Sequence, residues 1–286
     1  MSKWTVEKVQ KKNLYNSIIN AFKAKGWVDI ASAPASEFNV LRSYDSQNRP
    51  IYIRLQPQTA SGATYNVVTS AYTAFVIGVA KEYVPNPTAG LAGTFTLSNT
   101  ASTAFAGTNV TTASTQVALE TDNITLYHNI TNTRGYFAVR FNSNNAYSAT
   151  LGSVFFLGVP DDEYMDSNPR RASFFLGPNI ATIGGIDYPQ QYTLPESAAA
   201  VPYNSHVWLS PRTPDIENRF WMSPVFYSHA NVGFRGRLDE LYNMPASTFI
   251  LDGDLINVGG VNYQLLKISA TTATNLVADS FVCIEI

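Results

Sequence analysis

Apolar residues recur at helical spacing in one stretch of the chain, from Val6 to Lys25. Apolar side chains recur there at spacings of about three to five, and lysines lie between them. The apolar positions are Val6, Val9, Leu14, Ile18, Ile19 and Phe22. This spacing predicts an amphipathic helix. We expect Thr5 to cap its first turn and Gly26 to end it in a left-handed conformation. The interspersed lysines are typical of a solvated helix face.

Beyond this helix the pattern changes to alternation, which predicts strands with one buried face. Segments 38–44 and 51–55 alternate in this way, and the turn-forming residues 45–50 lie between them, so we expect a hairpin. The β-branched and aromatic residues of 65–80 predict one bent strand or two short strands. Within that segment, Gly78 is a candidate β-bulge.

The clearest alternation in the chain lies in 124–128 and 136–141, with a turn signal at 132–135, and it predicts a second hairpin. Segment 154–157 is apolar at every position, which predicts a central strand covered on both faces. Nine prolines between positions 160 and 224 interrupt helix and strand patterns alike. That part of the chain is predicted to contain short strands and long connections.

Strand patterns return toward the end of the sequence. The apolar or alternating segments there are 249–251, 255–258, 261–268 and 281–284. Gly259 and Gly260 separate the second from the third, at the place where a two-residue hairpin turn requires positive φ. The Asp-Gly-Asp sequence at 252–254 lies between apolar runs and predicts a turn in preference to a metal site.

Residues 83–119 contain no charged side chain and are rich in Thr, Ser, Ala, Gly and Asn, so we expect an exposed insertion. Its ends, 94–97 and 116–119, have strand patterns, and their pairing would make the insertion a projecting β-arm. An uncharged surface of this kind is easily desolvated against a neighbouring subunit. A contact surface and a plain solvated loop both stay open as interpretations.

Together these patterns predict an α+β chain that is mostly β. An N-terminal amphipathic helix is expected to pack on an antiparallel sheet, and a β-rich C-terminal domain is expected to follow. We expect the α+β domain to comprise residues 1–165, with the insertion at about 83–119, and the β-rich domain to comprise residues 166–286. The length of 286 residues allows one large domain or two modest ones.

Composition excludes several classes of function. Charged residues make up 14% of the chain, against about 25% in typical soluble domains, and hydrophobic residues make up 45%, so the chain is not a disordered tail. The net charge is -2, so the chain lacks the excess of Lys and Arg that a phosphate-binding surface requires. The single cysteine, Cys283, excludes an internal disulfide framework and any cysteine-rich metal site. No secretory signal and no transmembrane span is expected.

Three constellations combine residue types that catalysis or metal binding uses. The carboxylates at 161–163 with Asp166 lack the alternating ligands and Gly of a calcium loop, so they predict a solvated acidic loop. The Ser-His pairs at 205–206 and 228–229 place a hydroxyl beside an imidazole, but neighbours on a strand point to opposite faces. We therefore predict no catalytic, cofactor-binding or metal-binding residue, no cofactor and no enzymatic activity.

Segment 233–242 combines two glycines with charged and apolar residues in alternation, which suits a strand or tight loop whose arginines point outward. On a strand, Arg235 and Arg237 would share one face. Two interpretations stay open: surface pairs with local carboxylates, or bidentate ion pairs with a neighbouring subunit. The candidate intersubunit contacts are Phe234, Arg235, Arg237, Asp239 and Glu240.

A succession of motifs carries a family resemblance. The motifs are KGW at 25–27, IYIRLQP at 51–57, YFAVR at 136–140, AYSA at 146–149, FFLG at 155–158, FRGRLDELY at 234–242 and NVGGVNYQLL at 257–266. Their order resembles virion structural proteins of tailed bacteriophages, in particular neck or collar and tail-completion proteins at the head-to-tail junction. The resemblance covers most of the chain outside residues 83–119. That uncharged segment departs from the family pattern.

The resemblance implies a non-enzymatic virion subunit, made in the host cytoplasm, that forms a ring of six- or twelve-fold symmetry and joins head to tail. Its partners would be copies of itself and the adjacent head-completion, portal or tail proteins, with no sequence-specific nucleic-acid binding and no membrane. Low charge and the 16 Tyr and 16 Phe agree with this, because interface cores are enriched in aromatic residues and depleted of charges.

Two other functions stay open from the sequence. A phage decoration or fibre-type protein that binds a host glycan would use exposed aromatic platforms, for which Trp208 and Trp221 are the candidates. A depolymerase would need two carboxylates about 5 to 10 Å apart, and the sequence does not give that separation.

Overall fold

The computed structural model shows a mostly β protein built from antiparallel sheets, with a single helix in the part of the chain that it describes. The described residues are 3–33, 38–58, 74–88, 93–104, 123–141, 152–159, 162–163, 173–176, 182–185, 222–229, 233–245, 250–251, 253–268 and 280–286. The prediction of a mostly β chain with antiparallel sheets is therefore confirmed.

Seventeen strands and one helix follow one another along the described chain. In order they are β1 (Thr5–Gln10), α1 (Lys11–Ala24), β2 (Val28–Ala33), β3 (Phe38–Tyr44), β4 (Pro50–Gln58), β5 (Ala74–Val84), β6 (Thr94–Ala104), β7 (Asn123–Ile130), β8 (Arg134–Phe141), β9 (Gly152–Gly158), β10 (Asp162–Glu163), β11 (Ser173–Leu176), β12 (Thr182–Gly185), β13 (Ser223–His229), β14 (Gly233–Pro245), β15 (Leu255–Val258), β16 (Val261–Ile268) and β17 (Ser280–Glu285).

The described strands form three sheets. Sheet A has the order β1-β7-β8-β9-β11-β12, and sheet B has the order β2-β3-β4-β5-β6. In sheet C the order is β10-β14-β17-β16-β15, and β13 also pairs with β14. Sheet A thus takes strands from both sides of residue 165, and β10 pairs across the same position. The predicted division at residue 165 stays a prediction.

The helix begins later than the apolar periodicity predicts. Residues Thr5–Gln10 form β1 and pair with β7, and α1 starts at Lys11. The expected cap at Thr5 was wrong, since Gln10 precedes the first turn and makes no side-chain capping bond. Two β-branched valines in this segment favour a strand, and the ladder with β7 supplies its backbone hydrogen bonds. The predicted end is confirmed, because Gly26 has a φ of 89°.

The apolar face of α1 belongs to the main hydrophobic core. Its buried members are Leu14, Tyr15, Ile18, Ile19 and Phe22, and they share one cluster with side chains of β3, β4, β5, β7, β8 and β9. The hydroxyl of Tyr15 lies 2.8 Å from the carbonyl oxygen of Leu55 and 2.7 Å from Oδ1 of Asn39. The polar end of this buried ring is therefore satisfied within the core.

Strands β8 and β9 are buried on both faces. Phe137 and Phe155 stack with their ring centroids 4.9 Å apart and belong to the core around α1. On the opposite face, the rings of Tyr136 and Phe156 lie 4.8 Å apart, and both side chains are at most 1% exposed. The predicted central strand at 154–157 is confirmed, and coverage of both faces is confirmed for residues 155–157.

The three hairpins predicted from turn signals are confirmed. Strand β3 pairs with β4, β7 with β8, and β15 with β16, each in an unbroken antiparallel register. In the last of these, Gly259 and Gly260 have φ values of 60° and 85° and form the two-residue turn. Residues with a β-carbon rarely adopt such a pair of conformations, which is why the glycines marked this turn in the sequence.

One carboxylate holds the turn between β3 and β4. Asp45 Oδ1 accepts hydrogen bonds from the backbone N–H groups of Gln47 and Arg49 at 2.9 and 2.8 Å, and Oδ2 accepts one from Arg49 Nε at 2.7 Å. Burial raises the pKa of Asp45, but the hydrogen bonds and the positive charge of Arg49 outweigh burial, so the pKa lies below its ordinary value of 3.8.

Two strand details differ from the predictions. Gly78 is not a bulge, because β5 keeps an unbroken register with β4 and with β6 on either side of it, which leaves no extra residue to expel. Ile250 and Leu251 lie outside the strands. The backbone turns there, since Asp254 N–H donates to the Leu251 carbonyl. The turn predicted around Gly253 is confirmed by its φ of 87°.

The uncharged segment predicted as an insertion contributes a full strand to sheet B. The strand predicted at 94–97 is confirmed, and it extends over eleven residues as β6. It pairs with β5 in a continuous ladder. The predicted pairing of 94–97 with 116–119 stays a prediction. Residues 116–119 lie outside the described chain.

We expect Asp45→Asn to lower the free energy of unfolding by about 1 to 2 kcal/mol at pH 7, because an amide replaces two charge-assisted acceptors. The folded-state pKa of Asp45 lies below 3.8, so its stabilisation is present above that value and is lost as the pH falls through the folded pKa. Urea unfolding at pH 7 and at about pH 2 should show the difference between variant and wild type shrinking in acid.

The control for this prediction is Glu82→Gln, which removes a carboxylate from an exposed side chain. This control should change stability by less than about 0.5 kcal/mol at either pH. A difference between Asp45→Asn and wild type that is equally large at both pH values would contradict the role given to the carboxylate.

Candidate functional site

The segment predicted to contact a neighbouring subunit lies in β14, a strand of 13 residues. β14 pairs with β13 along one side, and with β10 and then β17 along the other. Phe234, Arg235, Arg237, Asp239 and Glu240 all belong to it. The strand prediction for this segment is therefore confirmed, and the segment occupies an inner position in sheet C.

The pairing of β13 with β14 slips by one residue between Tyr227 and Ser228, which leaves Arg235 without a position opposite it in β13. Strict alternation of side chains is interrupted at such a bulge. Which face the Arg235 side chain takes relative to Arg237 therefore stays a prediction. On the other side of β14, the backbone register places Arg237 opposite Asp162 of β10.

A second irregularity lies between Pro224 and Val225 of β13, whose partners in β14 are Tyr242 and Leu238. Residues 239–241 are extra on the β14 side. Bulges of this kind re-aim side chains, and the two members with described side chains, Glu240 and Leu241, are 9% and 1% exposed. The Glu240 carboxylate in the middle of β14 thus lies inside the protein.

Glu240 meets two positive side chains of its own chain. Its Oε2 lies 3.6 Å from Lys3 Nζ, and its Oε1 lies 3.8 Å from Arg134 Nη2. The Glu240 and Arg134 side chains are 10% and 9% exposed, whereas Lys3 is half exposed. The guanidinium of Arg134 also lies 5.3 Å from the ring centroid of Tyr136. A buried carboxylate needs such compensation, because desolvation of a lone charge is costly.

This ion cluster, formed by Lys3, Arg134 and Glu240, links the first described residues, the start of β8 and the middle of β14. Lys3 and Arg134 were not among the predicted site residues. Both lie far from Glu240 in sequence, and a contact between distant segments leaves no local spacing signal. The intersubunit roles of Phe234, Arg235, Arg237 and Asp239 stay predictions, and Glu240 is shown with partners inside the chain.

Two further titratable groups are buried. His128 Nε2 lies 3.2 Å from Glu7 Oε1, which joins the side chains of β7 and β1. Burial raises the pKa of the Cys283 thiol to about 12, so this thiol stays protonated at neutral pH. The His128–Glu7 pair joins two strands of sheet A, and Cys283 belongs to the hydrophobic cluster of sheet C.

The weaker constellations from the sequence are only partly described. Residues 162–163 form β10, and the Ser-His pair at 228–229 ends β13. The other positions lie outside the described residues: Asp161, Asp166, Ser205, His206, Trp208 and Trp221.

In the described ranges, no three His, Cys, Asp or Glu side chains come together as metal ligands would. No helix of the described chain has the length and apolar character that a membrane crossing requires. No protein-family model and no curated protein matches the chain.

We expect Glu240→Gln to lower the free energy of unfolding by about 2 to 4 kcal/mol, because Arg134 would keep its buried charge and lose the carboxylate of Glu240. Denaturant unfolding monitored by tryptophan fluorescence measures this loss. Lys3→Met is the matched control: Lys3 is half exposed, so its removal should cost less than about 1 kcal/mol. Equal, small effects of the two variants would contradict the structural role of the cluster.

Proposed function

We propose that this chain is a structural subunit of a tailed-bacteriophage particle, where it forms a symmetric ring at the neck, collar or tail terminus and joins head to tail. Six- or twelve-fold symmetry is expected for the ring. The subunit is made in the host cytoplasm, resides in the virion and catalyses no reaction. Its partners are copies of itself and adjacent head-completion, portal or tail proteins. The order of the sequence motifs is the origin of this proposal.

The observation that carries the proposal is the edge of sheet B. Strand β6 is the outer strand there among the described elements, and its eleven residues, TFTLSNTASTA, include no charge and no proline. Its ladder with β5 is continuous, so no bulge interrupts the edge. Proteins that stay monomeric usually protect a long edge with Lys, Pro or a bulge. An edge without these devices suits a subunit whose neighbour covers it.

A ring needs two different surfaces that fit each other, because head-to-tail contacts close around a rotation axis. The uncharged β6 edge is suited to be one of them, since strand addition supplies hydrogen bonds and needs little charge. The β14 segment with Phe234, Arg235, Arg237 and Asp239 is suited to contribute to the other, because arginine forms bidentate pairs with carboxylates.

The same proposal extends to the layout of the subunit. In it, the N-terminal amphipathic helix packs on an antiparallel sheet within residues 1–165, and a β-rich domain follows from residue 166. The buried cluster shared by α1 and strands of sheets A and B supports the first part. The concentration of β13 to β17 in sheet C supports the second, although β11 and β12 extend sheet A and β10 joins sheet C across that boundary.

The molar mass of the purified protein tests the ring directly. Light scattering of wild type should give a single large species, and negative-stain images of the same peak should show ring-shaped top views. Thr100→Lys, which places a charge in the middle of β6, should reduce the fraction in rings about tenfold or more. Thr88→Lys, in an exposed position outside the strands, is the matched control and should assemble like wild type.

A monomer at every concentration, together with the absence of this chain from purified phage particles, would contradict the proposed function. Rings that form equally well with Thr100→Lys would keep the function and reject β6 as the contact.

A further inference from the structure

Sheet C has two outer strands of different character. In β14, Arg237 lies opposite Phe226 of β13 and opposite Asp162 of β10, so β13 and β10 lie on different sides of β14. β13 and β15 therefore lie at opposite sides of the described sheet, and the two-residue β10 pairs with β14 alone. β13 carries Pro224 and two register slips, both of which discourage further pairing. β15 has an unbroken register, no proline and no charge.

The side chains of β15 are open to solvent to an unusual degree for a strand of apolar residues. Leu255 is 61% exposed and Val258 is 50% exposed, and Asn257 is also exposed. Leu251, just before the strand, is 68% exposed. An exposed, uncharged and apolar edge strand is a template for pairing with another chain.

The hairpin register shows which backbone groups of β15 point outward. Hydrogen-bonded pairs alternate with non-hydrogen-bonded pairs in an antiparallel ladder, and Val258 and Val261 close the two-residue turn as a hydrogen-bonded pair. Leu265 N–H donates to the Asp254 carbonyl at 2.9 Å. Asp254 lies four residues before Val258, so it also falls at a hydrogen-bonded position of the alternating ladder. It follows that the N–H and C=O groups of Leu255 and Asn257 point away from β16.

We propose that the β15 edge binds the β15 edge of a second copy of this chain in an antiparallel pair. Two identical edges match in register about a two-fold axis at Ile256. Leu255 of each copy then exchanges backbone hydrogen bonds with Asn257 of the other, and the outward groups of both residues are satisfied. The pairing joins two copies of sheet C into one continuous sheet and covers its unprotected edge.

This contact goes beyond the ring and does not depend on it. A two-fold contact is isologous, whereas the contacts that close a ring are heterologous, so the two use different surfaces. If both operate in solution, rings associate face to face in pairs through β15. If the ring does not form, the β15 contact gives a dimer.

The first test compares Leu255→Lys with Val84→Lys in sedimentation velocity. Leu255 is largely exposed, so the new lysine leaves the β15–β16 hairpin intact and places like charges across the proposed axis. We expect association of the two copies to weaken about tenfold or more. Val84 is 59% exposed at the end of β5, and Val84→Lys should sediment like wild type. A wild-type protein without a two-fold species, or one unchanged by Leu255→Lys, overturns the inference.

The second test locates the axis by disulfide formation. Ile256→Cys places two thiols opposite each other in a non-hydrogen-bonded pair, where the Cβ atoms are about 4.5 to 5.5 Å apart. Under mild oxidation it should give a covalent dimer on a non-reducing gel. Leu255→Cys is the control, because the two Leu255 positions are offset by two residues each and lie too far apart. Burial and a pKa raised to about 12 keep Cys283 silent in this assay.

Cross-linking of Leu255→Cys with equal or greater yield than Ile256→Cys would overturn the proposed register. Single rings that show neither cross-link would leave the proposed function standing and reject the β15 contact, so the two proposals fail separately.

Discussion

Aromatic side chains buried on both faces of β8 and β9 impose the constraint on which the rest of the structure depends. An antiparallel sheet often keeps one face in water, but Phe137 and Phe155 occupy one side here and Tyr136 and Phe156 occupy the other. Both sides must be covered. The cluster around α1 covers the first. On the second, Trp4 contacts Tyr136, and the ion cluster of Lys3, Arg134 and Glu240 joins the start of β8 to β14. Strands that are distant in sequence are held together for this reason.

Local signals in the sequence were enough to predict the hairpins and the central strand, and not enough to predict the ion cluster. Gly259 and Gly260 mark a turn by their backbone freedom, and the run at 154–157 marks a strand with no solvated face. The start of α1 was missed because the helical spacing of Val6 and Val9 competes with pairing to β7, which is a tertiary effect. The partners of Glu240 were missed because Lys3 and Arg134 lie far from it in sequence, and such a contact leaves no local spacing pattern.

The buried ion cluster and the uncharged outer strands have different consequences for contacts with other chains. The buried charges of the ion cluster are compensated inside the chain, so they contribute to one specific arrangement of strands and leave little charge for a partner to recognise. The outer strands β6 and β15 are uncharged and unprotected, and backbone hydrogen bonds are what they offer. A chain with 14% charged residues and such edges is suited to permanent contact with copies of itself, as the proposed role in a phage particle requires.

Hydrogen–deuterium exchange of the wild-type protein at a high and a low concentration tests the central claim, that sheet A is protected by the chain's own core while the β15 edge of sheet C is protected by another copy. The account predicts that amides of β8 and β9 exchange slowly at both concentrations, because their protection comes from the chain's own core. It predicts that the amides of Leu255 and Asn257 exchange slowly only at the high concentration, where a second copy accepts their hydrogen bonds. Fast exchange of these two amides at both concentrations, or fast exchange in β8 and β9, would contradict it.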